Sequence, residues 1–175
     1  MSSELLRLLE VMDRLRSPGG CPWDAEQTHQ SLLKYLLEES YEFVDSVDQD
    51  DREAMREELG DILLQVYFHS RIAQDHPTDP FDIEEVAKGI SDKLIRRHPH
   101  VFDGLEVKTN EELEANWATI KSSEKSRESV TDGVPTAMPA LQLATQLTNR
   151  ARENHLKAVS PELVEQVAEV VGEVT

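Results

Sequence analysis

Two short runs of acids in this chain have the residue types and spacing for metal chemistry. They are Glu38-Glu39-Ser40-Tyr41-Glu42 and Glu57-Glu58-Leu59-Gly60-Asp61. Each is a glutamate pair followed, three residues after the second, by another acid. Acids three apart on a helix face the same way. Two antiparallel helices carrying these runs would bring Glu39, Glu42, Glu58 and Asp61 to one point, a four-carboxylate cage for a hard cation with oxygen ligands. Acids on a helix are more often a solvated face. Two runs with identical spacing weigh against that bland reading.

The surrounding residues predict the helices such a cage requires. At 100° per residue with Glu39 as zero, Leu32, Phe43, Leu36, Val47, Leu33, Val44 and Leu37 fill one apolar arc. Glu39 falls at the edge of that arc and Glu42 about 60° outside it. With Glu58 as zero, Ile62, Met55, Val66, Leu59 and Leu63 fill the same arc, and Asp61 again lies about 60° outside. The pattern predicts helices over about Gln30–Val47 and Asp51–Gln74, joined by the short polar link Gln49-Asp50-Asp51 that antiparallel neighbours use.

Leu64, Phe68 and Ile72 add apolar residues on the far side of Asp61. Burial of Glu58 and Asp61 is therefore expected, and buried carboxylates must be paired, protonated or bound to metal. No Lys or Arg occurs between Arg56 and Arg71 to neutralise them. Gly60 lowers helix propensity, and its missing side chain is expected to admit a close backbone approach.

Composition narrows the partners. Lys+Arg 18 against Asp+Glu 35 gives a net charge of −17, which repels nucleic-acid backbones and anionic membranes. A small polyphosphate that arrives with its cations and meets a local basic patch remains compatible. The 175 residues are 38% hydrophobic and 5% aromatic, which predicts a thin core of Leu, Val and Ile, suited to helices that share a core across a dimer. Cys21 is the single cysteine, so neither an intramolecular disulfide nor a thiolate metal site can form. No basic n-region with an apolar h-region opens the chain and no apolar run approaches membrane length, so the cytoplasm is the expected compartment.

The remaining segments supply further candidates. Leu5, Leu8, Leu9, Met12 and Leu15 predict a first helix over Glu4–Leu15. The turn residues Ser17 to Asp24 end it, and Trp23 there could line a pocket or close the core. Thr28 with Ser31 three on is a serviceable helix start. Ile83 to Arg97 predicts a fourth helix, stopped by Pro99. It carries Lys93, Arg96 and Arg97, the one dense basic patch, which could hold phosphate oxygens or could complement the helix C-terminus. His69, His98 and His100 do not have zinc-site spacing. Leu113 to Lys121 predicts a short fifth helix on which Trp117 and Lys121 share a face. There the ring could stack on a base and the ammonium meet a phosphate, or the ring could anchor the helix. Ser122 to Gly133 reads as a linker, and Ala137 to Ala158 and Pro161 to Val174 as further helices.

Together, Cys21-Pro22-Trp23-Asp24, Gln27-Thr28-His29, Glu38-Glu39-Ser40-Tyr41-Glu42, Glu57-Glu58-Leu59-Gly60-Asp61 and Arg96-Arg97-His98-Pro99-His100-Val101-Phe102 resemble the MazG nucleoside triphosphate pyrophosphohydrolases. The resemblance runs from about Leu5 to Lys121. It implies an all-α fold whose four-helix core is completed by homodimerisation, and Mg2+-dependent hydrolysis (Mn2+ a possible substitute) of a nucleoside triphosphate to monophosphate and pyrophosphate. Carried over by motif, Glu39, Glu42, Glu58 and Asp61 are metal ligands, and Lys93 and Arg97, with Arg96 beside them, hold phosphates. Trp117, Lys121 and Trp23 contribute to the nucleotide site. Glu38 points about 100° from Glu39 and is a candidate to orient water.

The implied organisation is a catalytic domain over residues 1–122, a linker over 123–136, and a helical segment over 137–175. Family members with two tandem domains carry a second acid set after a segment like Met138-Pro139-Ala140-Leu141-Gln142-Leu143-Ala144, and none follows here. Two other functions fit the same residues. One is an all-α hydrolase restricted to dUTP or phosphoribosyl-ATP, and the other a non-catalytic acidic module that dimerises.

Overall fold

The computed structural model describes residues 3–105, 109–124 and 131–153. All regular structure among them is helical: α1 (Ser3–Arg16), α2 (Pro22–Glu26), α3 (His29–Asp48), α4 (Arg52–Ala73), α5 (Ile83–Arg97), α6 (Pro99–Phe102), α7 (Asn110–Ser123) and α8 (Ala140–Glu153). The chain divides into two compact units, Met1–Arg96 and Arg97–Thr175. No described helix is long and apolar enough to cross a membrane.

In the first unit α3 packs along α4, and α1 lies against α4. Local chemistry sets the helix starts. Thr28 Oγ1 accepts from the Ser31 N–H while Ser31 Oγ accepts from the Thr28 N–H, a reciprocal capping box. Asp51 Oδ1 accepts from the N–H groups of Glu53 and Ala54 and opens α4. Between the two helices Asp50 turns the chain with φ 53°, a left-handed conformation that Asp tolerates better than most residues.

The core is small. Met12, Leu32, Tyr67 and Phe68 are buried, with Leu8, Leu9, Leu15, Tyr35, Leu63, Leu64, Ile72 and Ile83 packed around them. Arg71 holds α1 to α4 by donating to Asp13 on one side and Asp75 on the other. Gly20 turns back onto the end of α1 so tightly that a Cβ there would stand 2.3 Å from the carbonyl oxygens of Arg14 and Leu15.

Several expectations are corrected. The turn residues from Ser17 end α1 as expected, and within the same segment Pro22 opens a short helix, its fixed φ suiting the first helical position. Pro99 ends α5 and opens α6 by the same property. The fifth helix is longer than Leu113–Lys121, because Thr109 caps it by accepting from the Glu112 N–H and it continues to Ser123. The second acid-bearing helix is not buried all round, since Leu59 and Val66 are exposed. Among the described residues nothing lies within 4 Å of a Cβ built on Gly60, so the expected close backbone approach is not found there. The expected helix Pro161 to Val174 lies outside the described residues, as do positions 125–130 of the expected linker.

Candidate metal centre

Helices α3 and α4 present their acids to each other at the middle of α3 and near the start of α4. Glu39 from α3 and Glu58 and Asp61 from α4 each offer a carboxylate oxygen, and the three oxygens lie within 4.8 Å of one another. All three side chains are partly exposed. Glu42, one turn beyond Glu39, adds its charge beside Glu58. Three of the four expected acids therefore meet, and the fourth reaches the group through Glu58. Glu38 is exposed beside them.

The electrostatics of the cluster are unfavourable without a counterion. Partial desolvation, then the charges of Asp61, Glu42, Glu58 and Glu38, hold the Glu39 carboxyl above the usual carboxylate range. Glu58 is raised by desolvation, then by the charges of Glu42, Glu57 and Asp61 and by its hydrogen bond with Glu42. Like charges at such distances disfavour one another's ionised forms. Among the described residues, none of the ion pairs involves Glu39, Glu58 or Asp61. Closely set oxygen donors, mutual repulsion and no protein cation fit a hard divalent ion that takes oxygen ligands.

The other candidates are placed as follows. Lys93 and Arg96 lie on α5, partly exposed and exposed respectively. Arg97, in the second unit, donates through Nε and Nη2 to Oε2 of Glu124, both side chains being largely buried. Trp117 is exposed on α7, and the Lys121 side chain lies outside those described. Trp23 is half exposed and meets Tyr35 edge-on, ring centroids 6.1 Å apart. Its loop is held by Arg16, which donates to the carbonyl oxygens of Asp24 and Gln27 and lies over the Phe68 ring.

One polar feature was missed in the sequence. His29 and His69 meet across α3 and α4, Nδ1 to Nδ1 at 2.8 Å. The signal was available: the antiparallel register that sets Glu39 against Glu58 and Asp61 also sets position 29 against 69. Spacing in the sequence groups His69 with His98 and His100, whose own rings lie 5.6 Å apart in the second unit.

The chain is similar to known proteins. The family profile described as MazG nucleotide pyrophosphohydrolase domain matches residues 27–102, which include both acid runs. The chain is 39% identical to the nucleoside triphosphate pyrophosphohydrolase of Escherichia coli (strain K12), covering 98% of this chain and 68% of that protein. It is 47% identical to the protein of the same name from Mycobacterium tuberculosis, covering 88% of this chain and 46% of that one. The crystal structure of a mazG-related protein from Thermotoga maritima superposes with a TM-score of 0.55 at 30% identity, covering 66% of this chain and 97% of that chain. This chain thus spans about half to two thirds of the length of the curated relatives it is compared with. With the acid runs meeting across α3 and α4 and with these relatives, the chain belongs to the MazG nucleotide pyrophosphohydrolase family.

Proposed function

We propose that this chain hydrolyses nucleoside and deoxynucleoside triphosphates to the monophosphate and pyrophosphate, with Mg2+ as cofactor and Mn2+ as a substitute, in housecleaning of the nucleotide pool. The observation that carries this reading is the convergence of Glu39, Glu58 and Asp61 from two helices in a member of this family. A bound divalent ion would supply charge neutralisation for the triphosphate and a lower pKa for the attacking water.

The chain's own residues do the rest. Glu39, Glu58 and Asp61 would hold the ion, with Glu42 beside Glu58 as the fourth carboxylate. Glu38 is assigned to orient the attacking water, since it is exposed at the edge of the cluster. By the motif match, Lys93, Arg96 and Arg97 bind phosphate charge, and Trp23, Trp117 and Lys121 complete the nucleotide site within a domain of residues 1–122. Arg97 would exchange its Glu124 partner for phosphate oxygens, which offer the same acceptor geometry.

A second copy of the chain is part of the proposal. Leu33, Leu37, Val44 and Val47 of α3 and Leu59 of α4 are each 47–59% exposed, an apolar surface that a single chain leaves open. Completion of a four-helix core by homodimerisation would cover it.

Turnover of a panel of nucleoside triphosphates by the wild type, Glu39→Gln and Asp61→Asn tests the reading. Several substrates used by the wild type, with at least hundredfold loss in both folded variants, is the expected result. Turnover of only dUTP or phosphoribosyl-ATP would favour a base-restricted hydrolase instead. Full activity in the variants would exclude the acids from the chemistry and favour the non-catalytic acidic module.

A further inference from the structure

Two buried polar atoms on α4 have no hydrogen-bond partner among the described residues, Gln65 Oε1 and His69 Nε2. Gln65 is only 6% exposed, and a buried amide without a partner is uncommon and destabilising. Their positions on the helix are informative. With Glu58 as zero, Asp61 lies at about −60°, Gln65 at about −20° and His69 at about +20°. The unpaired atoms therefore continue the acid-bearing face of α4, about 6 and 12 Å along its axis beyond Asp61.

The tautomer of His69 is coupled to that of His29 on α3. Its ring plane is 4° from that of His29, the centroids are 5.1 Å apart, and the two Nδ1 atoms are 2.8 Å apart. A centroid separation that exceeds the nitrogen separation by about two ring radii means that the rings meet edge to edge in one plane. Such a contact shares a single proton. When His29 donates it, the neutral His69 ring must carry its own proton on Nε2. The face of α4 then holds an N–H donor at His69 and, one turn before it, a carbonyl acceptor at Gln65.

We propose that Gln65 and His69 are the base-recognising end of the site, an inference that rests on the nucleoside triphosphate reading above. Gln65 Oε1 accepts from a base N–H or exocyclic amino group, and His69 Nε2–H donates to the neighbouring ring nitrogen or carbonyl. Every common base displays a donor beside an acceptor on one edge, so this pair reads the presence of a base more than its identity. Both atoms are shut off from solvent. A base reaches them when the Gln65 side chain turns outward, and the unpaired state of both atoms favours that turn.

The test compares kcat/KM for UTP and for N3-methyl-UTP, whose ring donor is replaced by a methyl group, using pyrophosphate release by the wild type and by Gln65→Ala. Gln65→Met, which keeps the side-chain volume, is measured alongside together with its melting temperature in the absence of nucleotide. The wild type is expected to prefer UTP by about tenfold or more, the size of one buried hydrogen bond. That preference should fall below about threefold in both variants, and Gln65→Met should melt no lower than the wild type because it buries no unpaired acceptor. An unchanged preference in a folded variant overturns the base contact and leaves the triphosphate reading standing. So does a Gln65→Met chain that melts well below the wild type, which would mean that the amide serves the fold. No pyrophosphate from either nucleotide with the wild type overturns both readings.

Discussion

Neutralising Glu39 should move stability in opposite directions with and without metal. Glu39, Glu58 and Asp61 place three carboxylate oxygens within 4.8 Å of one another. For the Glu39–Asp61 pair at the outer limit of that range, Coulomb repulsion in a water-like dielectric is about 0.9 kcal/mol, and the exposure of both groups keeps it near that low value. Glu39→Gln removes this repulsion, so the metal-free variant should melt about 2–4 °C above the metal-free wild type. With Mg2+ at about a hundred times its Kd, the wild type gains about 2.7 kcal/mol, or about 5–10 °C in Tm. The variant loses one of the converging ligands and should gain little. Differential scanning calorimetry with EDTA and across an Mg2+ series reads both effects. A Glu39→Gln chain that melts lower without metal, or that responds to Mg2+ like the wild type, would refute the repulsion argument.

Three further outcomes are expected. Glu39 and Glu58 titrate above the range of an unfolded carboxylate, so the folded state binds protons more readily between the unfolded and raised pKa values. Stability in EDTA should therefore rise as pH falls through that window, and saturating Mg2+ should abolish the gain. His69 contributes the opposite slope below its unfolded value of 6.5, because burial and then the His29 charge lower its pKa. The EDTA-minus-Mg2+ difference in denaturant titrations isolates the acids. Gly20→Ala should cost about 1–3 kcal/mol, because its Cβ would meet two backbone carbonyl oxygens at 2.3 Å, and urea unfolding measures it. Gly60→Ala should stabilise the chain by about 1 kcal/mol, since its Cβ would stand in open space, unless a second copy packs there. In that case sedimentation would show a weakened oligomer.

Much of the site was legible because its residues obey one helical period. Glu39, Glu58 and Asp61 could be placed on facing edges of two apolar stripes, and the short link through Asp50 and Asp51 forced those helices antiparallel. Helix starts were legible where a single side chain decides them, as at Thr28. The short helices at Pro22 and Pro99 were not, because a proline that ends one helix can also open the next. Burial of the acid-bearing face was overestimated for a related reason. A periodic apolar pattern states which residues seek cover, and Leu33, Leu37 and Leu59 find none within one chain. The His29–His69 contact joins residues 40 apart in sequence, and only the antiparallel register could have revealed it. The engagement of Arg97 by Glu124 was invisible because no local pattern links the two.

The proposed function stands on metal-dependent cleavage between the α and β phosphates at the acids of α3 and α4. Its most direct test is pyrophosphate, measured separately from orthophosphate, released from mixed nucleoside triphosphates with Mg2+. Pyrophosphate should appear with the wild type and vanish with EDTA and with Glu58→Gln. Orthophosphate alone, or pyrophosphate that survives both treatments, would contradict the account.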